Sequence, residues 1–455
     1  MSNAAETPVL PMRSARATAL TGRVRVPGDK SISHRAMIFG LLAEGTTEVS
    51  GLLEGEDVLR SADAARALGA TVTRHSEGRW SVEGVGLGRL HQPTMPLDFG
   101  NAGTGARLMM GVIGGHAITA TFDGDDSLRK RPMRRILDPL VNMGVVVLSQ
   151  AENGRLPVTL KGPDVLSAIT YESPVASAQI KSAILLAGLN AAGETVVIEP
   201  EASRDHTEKL LAWFGADVCV SPHGTHGRQV VLQGKPQLKA RPIVVPADPS
   251  SAAFPIVAAL IVPGSDVIVE GVMMNPLRIG LILTLREMGA DITQENSRDE
   301  GGETVADLRV RYSILTGVNV PAERAPSMID EYPVLAVAAA FATGTTRMNG
   351  LQELRVKESD RLEAVAAGLV CAGVSHTIEC DDLLVHGNGL APRGGRDGSS
   401  DVVKTHMDHR IAMSFLVMGM ASQQPMVVDD MAFIATSFPA FVTLMNGLGG
   451  KLALL

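Results

Sequence analysis

ALGATV, residues 67–72, comes round five more times, as NMGVVV (142–147), WFGADV (213–218), EMGADI (287–292), CAGVSH (371–376) and GLGGKL (447–452). The shared glycines, Gly69, Gly144, Gly215, Gly289, Gly373 and Gly449, stand 75, 71, 74, 84 and 76 residues apart and span nearly all of the 455-residue chain. A period that long means repeated structural units. In each copy an amphipathic run, such as Asp57 to Leu68 or Arg278 to Met288, ends at a glycine able to take the left-handed cap conformation, and an alternating strand follows.

A second phrase groups the units. Val26-Pro27-Gly28-Asp29-Lys30-Ser31 is echoed by Val245-Pro246-Ala247-Asp248-Pro249-Ser250, 219 residues on, against 220 for three glycine periods. The chain therefore reads as two halves of three units, in keeping with a length beyond one hydrophobic core. Pro and Gly at the echoed junctions place both interdomain crossings there. The expected domains are 1–27 plus 246–455 and 28–245, with a hinged cleft between them.

Composition narrows the function classes. The chain is 45% hydrophobic and 20% charged, enough for two sizeable cores. A net charge of −8 argues against a nucleic-acid or anionic-membrane surface, while leaving room for a local basic pocket. No apolar stretch approaches the roughly 18 residues that span a bilayer. Cys219, Cys371 and Cys380 form neither a disulfide framework nor a zinc knuckle, which fits a reducing cytoplasm. Residues 1–20 lack the apolar core of a secretory signal and read as a flexible tail. Pro392 to Ser400 reads as an exposed loop, and Trp80 and Trp213 as packing residues.

Each unit also has a first, more apolar helix, for example His34 to Ala43, Ala106 to Ile113, Ala178 to Leu189 and Ala252 to Ile261. Polar residues gather at these starts: Lys30, Ser31 and Arg35; Asn101, Gly103 and Thr104; Ser177 and Gln179; Asp248 and Ser250; Asp330 and Glu331; Asp408, His409 and Arg410. Singly, such residues are commonly caps. Together, six helix ends aimed at one cleft would make an anion trap, since each offers free N–H groups and about half a positive charge. Lys30, Arg35, Arg131, Arg204, Lys357, Arg361 and Arg410 add seven cations, enough to balance two phosphates and two carboxylates at roughly −5 to −6. The run Lys357-Glu358-Ser359-Asp360-Arg361 fits either acid–base chemistry or a surface ion-pair ladder, and spacing does not separate the two. Gly100–Gly105 would let backbone approach a ligand, but lacks the Gly-Lys-Ser/Thr ending of a nucleotide loop.

The motifs PGDKSISHR (27–35), LDFGNAGTGARL (97–108), RKRPM (129–133), SAQIKSAILLAGL (177–189), IDEYPVLAVAAA (329–340), LRVKESDRL (354–362) and DHRIAMSF (408–415) resemble the 5-enolpyruvylshikimate-3-phosphate (EPSP) synthases. The resemblance runs from about residue 20 to the end. It implies an α/β, two-domain enolpyruvyl transferase fold, inverse α/β barrel-like, each domain built of three βαβαββ units with pseudo-threefold symmetry. It further implies transfer of the enolpyruvyl group of phosphoenolpyruvate to the 5-hydroxyl of shikimate 3-phosphate, by a cytoplasmic monomer with no metal or organic cofactor. Carried over by motif, Lys30, Asn101, Gly103, Thr104, Arg131, Gln179, Arg361, His409 and Arg410 surround phosphoenolpyruvate. Lys30, Ser31, Arg35, Ser177, Ala178, Gln179, Arg204, Asp330 and Lys357 hold shikimate 3-phosphate. Asp330, assisted by Lys30, takes the hydroxyl proton, and Glu358 protonates the methylene carbon.

Ala178, Arg204 and Thr436 resemble the family's second class, whose members often tolerate the inhibitor glyphosate. Gly103 and Leu277 depart from that class, and the expectation is appreciable inhibition. A UDP-N-acetylglucosamine enolpyruvyl transferase is the nearest alternative, but that family presents a catalytic Cys in a mobile loop and none of the three cysteines sits in such a phrase. A non-catalytic phosphometabolite-binding protein would have no use for both an acid and a base.

Overall fold

The computed structural model describes residues 9–395 and 401–455. Among the described residues, six four-stranded sheets share one plan: a parallel pair at one edge, followed by two antiparallel neighbours. In a complete unit, such as Leu97–Asp98, Gly103–Gly114, Thr119–Asp123, Arg134–Asn142, Val146–Ala151 and Arg155–Lys161, the order is strand, helix, strand, helix, strand, strand. All six repeat glycines lie at positive φ, between 72° and 109°, where a side chain would be strained. The second helix of each unit stops there and the chain turns into a strand.

Two apolar cores result, one formed almost wholly of residues between Ile32 and Val245, the other of residues from 247 onward joined by Met12, Ala17, Leu20 and Val26. The N-terminal stretch is not a tail from residue 12 on. Met12–Ala15 is an interior strand between Met426–Val428 and Lys451–Leu454, and Thr21–Val24 runs parallel beside Asp266–Met273. Met12 and Ser14 alternate inward, which ties the segment to the second core. Residues 1–8 lie outside the described part. The two crossings run side by side, with Asp29 N donating to Pro246 O at 2.8 Å and Asp248 N to Pro27 O at 2.9 Å.

The first helices are buried, and the helix Pro249–Ile261 is buried over its whole length. Several begin earlier than the apolar pattern suggests: Lys30–Leu42 rather than from His34, Pro249–Ile261 rather than from Ala252, and Gly103–Gly114 rather than from Ala106. Asp29 and Asp248 cap the first two by accepting from Ile32 N and from Ser250 and Ser251 N, so the turn nucleates on polar residues. Gly111 is where the helices Gly103–Gly114 and Ala178–Gly188 touch, since a Cβ there would stand 2.2 Å from Ala183 O. Trp80 is core, as expected, but Trp213 is 47% exposed, with the Arg241 guanidinium 5.9 Å over its ring. Pro392, Gly394 and Gly395 are buried rather than exposed, held by backbone bonds to Gln423, Ala372 and Pro425 respectively, and residues 396–400 fall outside the described part.

Burial also fixes a pH response. His34, bonded to Ser61 Oγ at 2.8 Å, is held down to about 3 by desolvation and by Lys30 and Arg35. Its folded value lies below its unfolded value, so the unfolded chain binds the extra proton and stability is lost as pH falls from about 6.5 towards 3. His34 alone is expected to remove ~3 kcal/mol by pH 4. A urea midpoint at pH 4.5 equal to that at pH 7 would contradict this.

Candidate active site

The two halves enclose a cavity of about 340 Å³ lined from both sides. Lys30, Ser31, Gly103, Thr104, Arg131, Ser177, Ala178, Gln179 and Arg204 reach it from one half, and Asp330, Lys357, Glu358 and Arg410 from the other. Four expected site residues stand behind its wall. Arg35 is buried with all three nitrogens engaged, to Thr207 Oγ1, Ser31 O and Ser182 Oγ. Asn101 is tied to Asp125 at 2.9 Å and accepts from Arg131 in a short contact. Arg361 and His409 are buried under the carboxylates.

The open-helix picture needs correction. Four of the six first-helix starts are closed by their own side chains, Asp29, Ser177, Asp248 and Asp408. Only the starts at Gly103 and Tyr332 lack a side-chain cap. Charge in the cavity resides in side chains, and it is nearly balanced: among the described residues, eight cationic and seven acidic ones line it.

The acids share one guanidinium. Fully buried Arg361 donates to Asp408 Oδ2 at 2.8 Å, to Asp330 Oδ1 at 3.0 Å and to Glu358 in a short contact. Glu358 and Arg361, three residues apart, are therefore a buried pair and not a surface ladder. Across the cleft, Arg204 Nη2 donates to Asp330 Oδ2 at 2.6 Å, Arg131 Nη1 lies 3.5 Å from Glu358 Oε1, and Arg135 pairs with Glu353 at 3.0 Å. Burial alone would raise Asp330, but Arg410, Arg204, Lys357 and Arg361 hold its carboxyl well below the usual range. Glu358 is likewise held low against its burial, by Arg361 first, then Arg131 and Lys30.

The bases are equally shaped by their surroundings. Lys357 is pushed down, first by burial and then by the Arg361 charge, although Asp330 pulls it up, and it makes no ion pair among the described residues. His409 is pushed well below its ordinary value by desolvation, with Lys30 and Arg410 adding to it, so its ring is neutral near pH 7. Its Nδ1 is 3.5 Å from Thr436 Oγ1, and its Nε2 is buried without a partner among the described residues. Lys30 Nζ pairs with Asp57 Oδ2 at 2.9 Å rather than with Asp330.

Several lining residues escaped the sequence reading. Arg107 lowers to about 9 through burial beside Arg131 and Arg135, and it donates to Gln179 Oε1 at 2.7 Å. Gln179 Nε2 then donates to Thr104 Oγ1 at 2.9 Å, so this amide's orientation is set. Arg278 grips both cap carboxylates, Asp29 at 2.7 Å and Asp248 at 3.1 Å, directly beside Lys30. Arg107 lay inside the motif 97–108, and Arg278 at the start of the amphipathic run to Met288. For Asp57, nothing local marked a partner for Lys30.

A cavity that sets two carboxylates against cations from two repeat-built halves can be compared with known proteins. The sequence model of the family "EPSP synthase (3-phosphoshikimate 1-carboxyvinyltransferase)" matches residues 15–445. A 3-phosphoshikimate 1-carboxyvinyltransferase of Methylobacterium radiotolerans is 67% identical over 444 residues, covering 97% of this chain and 98% of its own. One from Rhodopseudomonas palustris is 63% identical over 443 residues, with the same coverage of both. Among solved structures, EPSP synthase from Acinetobacter baumannii superposes with a TM-score of 0.85 at 42% identity, covering 98% of this chain and all of its own. The enolpyruvyl transferase NikO from Streptomyces tendae, at 17% identity and a TM-score of 0.76 with 98% and 99% coverage, shares the fold. With the repeat, the cleft and the relatives in agreement over almost the whole length, the chain belongs to the EPSP synthase family.

Proposed function

We propose that this chain transfers the enolpyruvyl group of phosphoenolpyruvate to the 5-hydroxyl of shikimate 3-phosphate. The observation that carries this reading is the pair Asp330 and Glu358, both on the Arg361 guanidinium and each meeting a cation of the opposite half. Asp330 takes the hydroxyl proton as the oxygen bonds to C2 of phosphoenolpyruvate, and Glu358 gives a proton to the methylene carbon. The tetrahedral adduct then loses phosphate and returns a methyl proton, which restores the carbon–carbon double bond in the product.

Lys30, Arg131, Gln179 and Arg410 bind phosphoenolpyruvate at the turn Asn101–Thr104, with Arg361 and His409 behind them. Ser31, Ser177, Ala178, Gln179, Arg204, Asp330 and Lys357 hold shikimate 3-phosphate, and Arg35 supports Ser31 from beneath. The bodies 1–27 plus 246–455 and 28–245 act as the two closing domains. The enzyme works as a cytoplasmic monomer without metal or organic cofactor. None of the three cysteines lines the cavity, which disfavours a transferase that uses a loop Cys. Phosphate release is expected only when both substrates are present. Equal release from phosphoenolpyruvate alone, or with UDP-N-acetylglucosamine, would overturn the reading.

Glyphosate inhibits by occupying the phosphoenolpyruvate site. A Cβ on Gly103 would stand 2.8 Å from Arg131 Nη1 and 3.4 Å from Leu128 Cδ1, so the movable guanidinium end must give way. Gly103→Ala is expected to raise the glyphosate inhibition constant about tenfold or more, and to weaken phosphoenolpyruvate less. Equal inhibition constants for the two proteins would contradict this.

A further inference from the structure

The segment 203–209 leads from the cleft into the helix His206–Trp213, and its charged side chains engage both halves. Arg204 faces the cleft, donating to Asp330 and, at 3.5 Å, to Ser31 Oγ. Asp205 occupies the N-cap position yet makes no side-chain cap bond, although aspartate is among the preferred caps. Its Oδ1 accepts instead from Asn275 Nδ2, at 2.7 Å, in the other half.

The next turn of that helix is held from the same side. Lys209 Nζ donates to Glu303 Oε2 at 2.6 Å, and His206 Nδ1 lies 3.2 Å from Glu303 Oε1. Burial lowers His206, so its neutral ring donates to Glu303 through Nδ1. Asn275 Nδ2 also lies 3.2 Å from Glu303 Oε2 and so joins the two grips. Glu303 opens the strand Glu303–Arg311 straight after Gly301 and Gly302, both at positive φ. A Cβ on Gly301 would stand 2.8 Å from Val244 O, so this hairpin tip is seated against the chain crossing. Glu303 lines a second cavity, of about 370 Å³, and not the cleft.

We propose that Glu303 is a positioning residue for Arg204: through Lys209, His206 and the Asn275–Asp205 bond it fixes the start of the helix, so that Arg204 projects towards Ser31 and Asp330. The proposal rests on Arg204 being a ligand of shikimate 3-phosphate. Without the grip, the loop carrying Arg204 must be ordered at the moment of binding, and that ordering weakens the substrate it holds.

The test is a double-mutant cycle in the full chain with Glu303→Ala, Arg204→Ala and both together, reading KM for each substrate, kcat and melting temperature. Glu303→Ala is expected to raise KM for shikimate 3-phosphate about tenfold, with kcat and the KM for phosphoenolpyruvate within about twofold. It should add nothing in the Arg204→Ala background, and Glu303→Gln, whose one acceptor oxygen can still serve Lys209 and Asn275 at the cost of the His206 bond, should recover part of the loss. Full additivity, or equal rises in both KM values, would mean that Glu303 serves only the fold and would overturn the proposal. An unchanged KM in Arg204→Ala would overturn the ligand assignment and the proposal with it. Should Glu303→Ala not fold, Asn275→Ala in the same cycle gives the same discrimination.

Discussion

An Asp330→Asn variant is expected to lose about three orders of magnitude in kcat, while KM for either substrate changes by less than about threefold. Asp330 accepts from Arg204 at 2.6 Å and from Arg361 at 3.0 Å, and Arg410 donates to its backbone oxygen at 3.2 Å. Asparagine keeps one acceptor oxygen, so one of the two guanidiniums stays held while the other is freed for the anionic substrates. It cannot take a proton, so the loss falls on the chemical step. Removing a negative charge from a cavity that receives anions also favours ground-state binding, which works against any rise in KM. A variant with normal kcat and a greatly raised KM would show that Asp330 only binds.

Glu358→Gln is expected to lower kcat by about 10²–10⁴, and to abolish exchange of solvent deuterium into the methylene group of phosphoenolpyruvate. In the resting cleft Glu358 has no proton to give, because Arg361, Arg131 and Lys30 together outweigh its burial. The same cations are the ones that the phosphate and carboxylate of phosphoenolpyruvate would claim. As their charge is shared with the substrate, burial gains the upper hand and the carboxyl rises towards a value at which it can carry a proton. Glutamine keeps the hydrogen bond to Arg361 but has no acidic proton for carbon. Deuterium exchange at the wild-type rate, followed by NMR, would assign that proton elsewhere.

Much of this fold was legible because the repeat is written in residues with strong local consequences. All six glycines take the positive φ that their place after an amphipathic run implies. The early starts at Lys30 and Pro249 were hidden because polar cap residues interrupt the apolar pattern there, although Asp29 and Asp248 both precede them. The tail reading failed at Met12–Ala15 because a four-residue strand carries little periodicity, and its partners lie more than four hundred residues away.

The site was legible by type and less so by pairing. Motif resemblance brought Lys30, Asp330, Glu358 and Arg204 to one cavity. It did not foresee that the cations would already be neutralised, since the partnerships of Arg131 with Glu358, Arg204 with Asp330 and Lys30 with Asp57 depend on how elements meet in space. Arg107 and Arg278 were passed over for the same reason. An arginine on a helix or in a turn becomes a positioning group only once Gln179, or the caps Asp29 and Asp248, are beside it.

On binding, substrate anions take over cations now held by Asp330 and Glu358, and Glu358 gains its proton as a result. Calorimetry of shikimate 3-phosphate and glyphosate binding together near pH 7, in buffers of different ionisation heat, counts that proton. The wild-type protein is expected to take up markedly more protons than Glu358→Gln. Identical proton uptake by the two proteins would contradict it.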